Sequence, residues 1–138
     1  MLELLMVVVL MAMMVVIVPP ALSKSSSTEM KLATQKIANA LRYTRSQAIA
    51  TKQASTFDLD VKRRQYRYPG SEHDKPIADS LTIKITSARS EFIDKDTGVI
   101  RFYPDGSSTG GKIIVATPQN HKTIRVSWIT GKVTVNDQ

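Results

Sequence analysis

The sequence predicts an α+β chain, with a long N-terminal helix whose first half spans a membrane, followed by an antiparallel, β-sandwich-like head. Three observations carry this. Leu4 to Val18 contains no polar side chain; Met30 to Ala48 repeats apolar residues at three- and four-residue steps; and from Ser55 the apolar period falls to two, broken by turn residues. The expected divisions are 1–22 for the apolar helix, 23–53 for an amphipathic helix continuing it, and 54–138 for the β-rich head.

The opening run, with its apolar flanks Met1, Leu2, Ala21 and Leu22, approaches the ~20 residues that cross a bilayer as a helix. Its one polar group is Glu3. A carboxylate at hydrocarbon depth costs roughly 2.5 to 3.5 kcal/mol even on mild insertion scales, so such residues persist where they have a partner or a task. A cleaved secretory signal would begin with positive charge and end in small residues. Here no Lys or Arg precedes the run, and Pro19-Pro20 stands where the cleavage motif belongs. That proline pair removes two backbone donors and disfavours helix at Val18, predicting a break or bend.

After the polar stretch Ser23 to Thr28, the stripe Met30, Ala33, Ile37, Leu41, Thr44, Ala48 predicts an amphipathic helix of about six turns. Ser27 or Thr28 would cap its start, with Glu29 complementing the helix dipole. Thr44 is the weak slot, and Tyr43 beside it is expected to supply the missing apolar area. The helix should end between Thr51 and Ala54. Strands follow at Thr56–Val61 and Gln65–Tyr68 around the turn Lys62-Arg63-Arg64, then at Leu81–Ile85, Glu91–Ile93 and Val99–Tyr103. Tyr103-Pro104-Asp105-Gly106 is a strong turn signal, with Pro second and Gly fourth. Lys112–Ala116, Thr123–Ile129 and Val133–Val135 complete the set. Short strands at regular spacing indicate an antiparallel sandwich.

Composition and motifs narrow the chemistry. The 138 residues hold one core besides the apolar segment, and with no cysteine there is neither a disulfide framework nor a thiolate metal site. The net charge of +7 suits an anionic partner or a merely soluble surface. His73 in a polar loop and His121 in the turn Pro118-Gln119-Asn120-His121 lack a second ligand at metal-binding spacing. Asp58 and Asp60 share a strand face, which reads as solvated polarity ahead of paired acid–base work. Gly110-Gly111-Lys112 enters a strand where a phosphate-binding loop would open a helix. Lys62-Arg63-Arg64 beside Tyr66 and Tyr68 is the one strip that suits phosphates and stacked bases. No catalytic constellation emerges, no cofactor or metal is expected, and a non-enzyme is predicted with nucleic acid an unlikely partner.

Leu2-Glu3-Leu4-Leu5, the apolar run and a proline 17 residues after the acid resemble the N-terminus of type IV pilins and type II secretion pseudopilins. Glu3 and Pro20 fall on that family's acid and helix-melting proline when two residues are counted ahead of Met1; the leader glycine and methylated Phe of the family are not in the sequence. Leu41 to Ala50, Gly98 to Gly111 and Val126 to Val133 resemble the GspH minor pseudopilins and the related FimT-type minor pilins. The resemblance implies a minor subunit near the tip of a periplasmic pseudopilus, single-pass in the inner membrane before assembly, processed and methylated by a prepilin peptidase. It also implies extraction through an inner-membrane assembly platform, packing against other major and minor pseudopilins, and a role in exporting folded cargo. In that setting Glu3 sets subunit register, Leu4, Leu5, Val8, Met11 and Val15 pack the filament, and Pro19 and Pro20 loosen the helix. The alternatives are a FimT-like pilin acting in pilus assembly or DNA uptake, and a plain anchored protein for which Glu3 is dispensable.

Overall fold

Two helices and nine strands form from residues 1–16, 26–87, 92–94 and 96–137, which the computed structural model describes. Helix α1 spans Leu2–Val16 and helix α2 Ser26–Thr51. The expected continuity of the two, together with Pro19 and Pro20, falls on residues outside those described. Among the described residues no helix is long and apolar enough to cross a membrane: α1 has 15 residues, apolar but for Glu3, and the 26-residue α2 is amphipathic.

Helix α2 buries Met30, Thr34, Ile37, Ala38, Ala40, Leu41, Thr44 and Ala48. The expected stripe is there, with Ala33 displaced to its half-buried margin. Thr44 is fully buried without help from Tyr43. Its hydroxyl donates to the Ala40 carbonyl at 2.7 Å, and Thr34 does the same to Met30 at 2.7 Å, so neither leaves a polar group unpaired. Tyr43 lies on the exposed side and meets Tyr68 edge-on at 5.8 Å. Ser27 and Thr28 are the second and third residues of the helix and so lie inside it, past the expected capping position, and Glu29 accepts from Ser80 Oγ at 2.6 Å. The helix stops at Thr51 because Lys52 takes a left-handed conformation (φ 55°).

The strands are β1 (Ser55–Asp60), β2 (Gln65–Arg67), β3 (Lys75–Pro76), β4 (Thr82–Ser87), β5 (Phe92–Asp94), β6 (Thr97–Phe102), β7 (Gly111–Ala116), β8 (His121–Val126) and β9 (Val133–Asp137). They form two sheets, ordered β3-β2-β1-β6-β5 and β4-β7-β8-β9, with antiparallel pairing throughout. Strand β3 was invisible to period counting, being two residues long with a proline, which an edge strand tolerates. The strand expected through Ile129 ends at Val126. Ser127 exchanges backbone hydrogen bonds with Gly131 and Lys132, and the Trp128 carbonyl is taken by Ser108 N at 3.0 Å, so pairing gives way to a loop. The expected turn at Tyr103 forms, Gly106 N donating to Tyr103 O at 2.9 Å.

One core joins helix and sheets. Ile37, Leu41 and Ala48 of α2 meet Phe57, Leu59, Ile100 and Phe102 of the first sheet and Ile113, Val115, Ile124 and Val126 of the second, all nearly or fully buried. The sheets close on one another where β6 presents Gly98: a Cβ there would lie 2.8 Å from Ile85 Cδ1 and 2.9 Å from Ile85 Cγ2. Gly98→Ala is therefore expected to cost about 1 to 3 kcal/mol through overpacking. Adding Ile85→Ala should give less destabilisation than the two single changes summed, a coupling measurable by urea unfolding of the four-member cycle.

Candidate assembly interface

Helix α1 presents an apolar surface that the described chain leaves uncovered. Every side chain from Met1 to Met13 is exposed, including Glu3, Leu4, Leu5, Val8 and Met11. Leu4, Leu5, Val8, Met11 and Val15 are spaced to share one helix face. Val15 lies in α1, but its side chain is outside the described residues, and Pro19 and Pro20 are outside altogether. A helix apolar all round is stable only where lipid or other helices surround it. Glu3 stands in its first turn, where a carboxylate also complements the helix dipole.

A second exposed surface lies on the head, at a junction of three segments. Arg45 of α2 donates from Nε to the Gly106 carbonyl at 3.0 Å and to the Thr130 carbonyl at 3.1 Å, tying the 103–107 turn to the β8–β9 loop. Gly131 makes that approach possible, having φ +65° and standing where a Cβ would overlap the Gly106 carbonyl oxygen. Ser108 adds Oγ to Ser127 O at 2.8 Å and receives Gly110 N at 3.0 Å, so the serine-rich loop serves this junction and forms no phosphate cradle. Within the turn, Ser107 donates from Oγ and N to Asp105, holding that carboxyl below its ordinary range. The junction's frame is fixed while its side chains face out: Trp128 is 67% and Ile129 64% exposed, with Tyr103 and Ile49 also open. A large aromatic held on a rigid frame loses little entropy on contact, which is why such residues anchor protein interfaces. Periodicity hid this feature, because Trp128 and Ile129 look like strand core.

The remaining sequence candidates are brought together only as structure. Asp58 sits opposite Arg67, which pairs with Asp74, and Asp60 pairs with Arg63. Burial raises the Asp58 carboxyl, and Arg67 and Thr56 oppose that shift. Arg64 donates to the carbonyls of Ala78 (3.1 Å) and Leu81 (2.6 Å), and Tyr66 is buried against Phe57 at 5.6 Å. The strip expected to suit nucleic acid is thus largely committed to the fold. His73 is exposed in its loop, whereas His121, expected as the last residue of a turn, is exposed as the first residue of β8. Among the described residues no three His, Cys, Asp or Glu are grouped to hold a metal.

An N-terminal helix packed on two antiparallel sheets defines the pilin-like class. Backbone similarity extends to the minor pseudopilin EpsH from the type 2 secretion system of Vibrio cholerae, with a TM-score of 0.63 and 12% identity, covering 79% of this chain and 97% of that one. It extends also to the type IV minor pilin FimU of Pseudomonas aeruginosa, with a TM-score of 0.59 and 16% identity, covering 80% and 90%. At these identities the likeness is one of fold. The family model described as type II transport protein GspH matches residues 33–131, and the chain belongs to that family. Over 105 residues it is 41% identical to type II secretion system protein H of Xanthomonas campestris pv. campestris, covering 75% of this chain and 61% of that protein's length. The segments carrying the resemblance, Leu41–Ala50, Gly98–Gly111 and Val126–Val133, meet at the Arg45 junction.

Two outcomes follow. Arg45→Met should lower stability by about 2 kcal/mol, since a charged donor to two carbonyls is lost, and Gly131→Ala should cost at least as much; thermal unfolding measures both. Because the folded-state pKa of Asp58 is raised, the native state binds its proton more tightly, so this residue's penalty is present above that pKa and relieved as pH falls through it. Asp58→Asn should therefore flatten the pH dependence of the melting temperature on the acid side of neutrality, above the ordinary carboxylate pKa.

Proposed function

We propose that this protein is a minor pseudopilin of the type II secretion system, a structural subunit in the tip region of the periplasmic pseudopilus that helps export folded proteins across the outer membrane. The observation that carries the reading is an uncovered apolar helix, with an acid in its first turn, on a chain whose head belongs to the GspH family. The identity to a type II secretion protein favours secretion over a FimT-like role in pilus assembly or DNA uptake.

In this reading residues 1–22 form the membrane and filament-core helix, 23–53 continue it, and 54–138 form the periplasmic head. The subunit waits as a single-pass inner-membrane protein, processed and methylated by a prepilin peptidase, until the assembly platform extracts it. Lipid tails are as apolar as leucine, so no hydrophobic gain drives α1 from bilayer to filament. Selectivity then falls to packing by Leu4, Leu5, Val8, Met11 and Val15, and to the charge on Glu3. In a low-dielectric bundle that carboxylate is neutralised by the terminal ammonium of a neighbouring pseudopilin. A misregistered subunit leaves both charges buried and unpaired, a penalty of about 3 to 5 kcal/mol. Pro19 and Pro20 loosen the helix for this repacking. The role is mechanical, and the head displays its exposed surface to other minor pseudopilins or to cargo.

Glu3→Leu tests this. Membrane insertion should be normal while co-purification with the pseudopilus and secretion of exoproteins are lost; normal secretion by the variant refutes the reading.

A further inference from the structure

Helix α2 and strand β9, an edge of the second sheet, border a seam that neither the core nor the Arg45 junction uses up. Two grooves run along it, of about 240 Å³ and 720 Å³, joined at Arg42. Lys31, Gln35 and Arg42 line one wall from α2, and Lys122 and Lys132 stand on the other side. From Lys31 to Arg45 the seam follows 14 residues of helix, about 21 Å at 1.5 Å per residue. Lys31, Arg42, Arg45 and Lys132 make no ion pair with a carboxylate among the described residues, Arg42 reaching only Asn39 Oδ1 at 3.2 Å and the Val133 carbonyl at 3.4 Å, whereas Lys122 is paired with Asp137. The larger groove is lined by Thr130 and Gly131, within the loop that carries the exposed Trp128 and Ile129.

The geometry points to this seam as the docking groove for an acidic, apolar-faced segment of a different protein, its carboxylates set along Lys31, Arg42 and Lys132 and its apolar side against Trp128 and Ile129. Charge complementarity decides the occupant. A second copy of this chain, with a net charge of +7, is a poor source of an acidic face, and Asp60, Asp74 and Asp137 of its head are already paired with Arg63, Arg67 and Lys122. Nucleic acid is disfavoured because none of the residues lining either groove is aromatic, leaving no stacking platform along the seam. Arginine and tryptophan beside aliphatic surface is the composition of a protein interface. The inference rests on the pseudopilin reading only for where the partner comes from, an adjacent tip subunit.

Trp128 is the sole tryptophan and lies in the loop whose Thr130 and Gly131 line the larger groove, so the fluorescence of the full chain in non-ionic detergent reports that loop. The probe is a tryptophan-free amphipathic helical peptide with a glutamate face and a leucine face. A lysine-faced peptide with the same leucines controls for micelle partitioning, and a single-stranded oligonucleotide of equal charge tests the rival partner. The acidic peptide should shift Trp128 emission to the blue saturably, and Arg42→Glu with Lys132→Glu should weaken binding at least tenfold while circular dichroism stays unchanged and melting falls only slightly, through loss of the Arg42 bonds to Asn39 and the Val133 carbonyl. If that pair unfolds the head, Arg42→Gln with Lys132→Gln replaces it, with a weakening of at least threefold expected. Equal binding by the variants, tighter binding of the oligonucleotide or the lysine-faced peptide, or no response overturns the proposal. Glu3→Leu should bind the peptide like the parent chain, so a lost peptide response sinks the groove alone, and normal secretion by Glu3→Leu sinks the functional reading alone.

Discussion

Helix α2 holds the head together by packing one stripe of side chains against two sheets at once. Ile37, Leu41 and Ala48 are buried to the last atom or nearly so, touching a core to which both sheets contribute. Both sheets, of five and four strands, turn apolar side chains to the same core, so helix and sheets bury one another. The stripe has to be small in places to allow the approach, which explains Ala38, Ala40 and Ala48, and its two threonines are tolerated because each bonds back to its own helix. The interior is therefore complete in itself, with no described buried side-chain polar atom left unsatisfied.

That completeness sharpens the contrast with α1. The head closes its own core, yet α1 exposes a continuous apolar surface interrupted by a single carboxylate. Such a helix stores a demand that only lipid or other helices meet, and in the proposed filament Glu3 would make that demand selective, since a buried charge without its counterion is far costlier than a mispacked leucine. The Arg45 junction adds the complementary economy on the head. Two loops distant in sequence are pinned through one guanidinium, and what they hold outward is tryptophan and isoleucine instead of polar turn residues.

Much of the fold was legible in the chain. The α2 stripe, the change of period at Ser55 and the turn at Tyr103 follow from local stereochemistry, which residue spacing records directly. The misses share a cause. Strand β3 pairs through two residues that have no period to read, and Val126 to Ile129 kept an apolar pattern past the point where Ser108 and Gly131 captured the backbone. Tyr66 looked like an open stacking platform beside a basic turn, but its opposite neighbours on β1 and the helix bury it. The N-terminal part of the candidate site was legible as chemistry, in the acid and its apolar run. The head part was hidden, because nothing local distinguishes an exposed Trp128 from a buried one.

Sequence by itself determined the class of the chain: an apolar helix headed by Glu3, an amphipathic helix, and a run of antiparallel strands, together with the segments that mark the GspH family. These depend on neighbours in the chain, where helix and strand periods and turn chemistry operate. Tertiary structure alone decided that three of those segments converge on Arg45, that Trp128 and Ile129 face outward, and that α2 and β9 border a basic seam. Such outcomes depend on which carbonyl captures which donor across sixty or more residues, a competition among long-range partners that spacing along the chain does not encode.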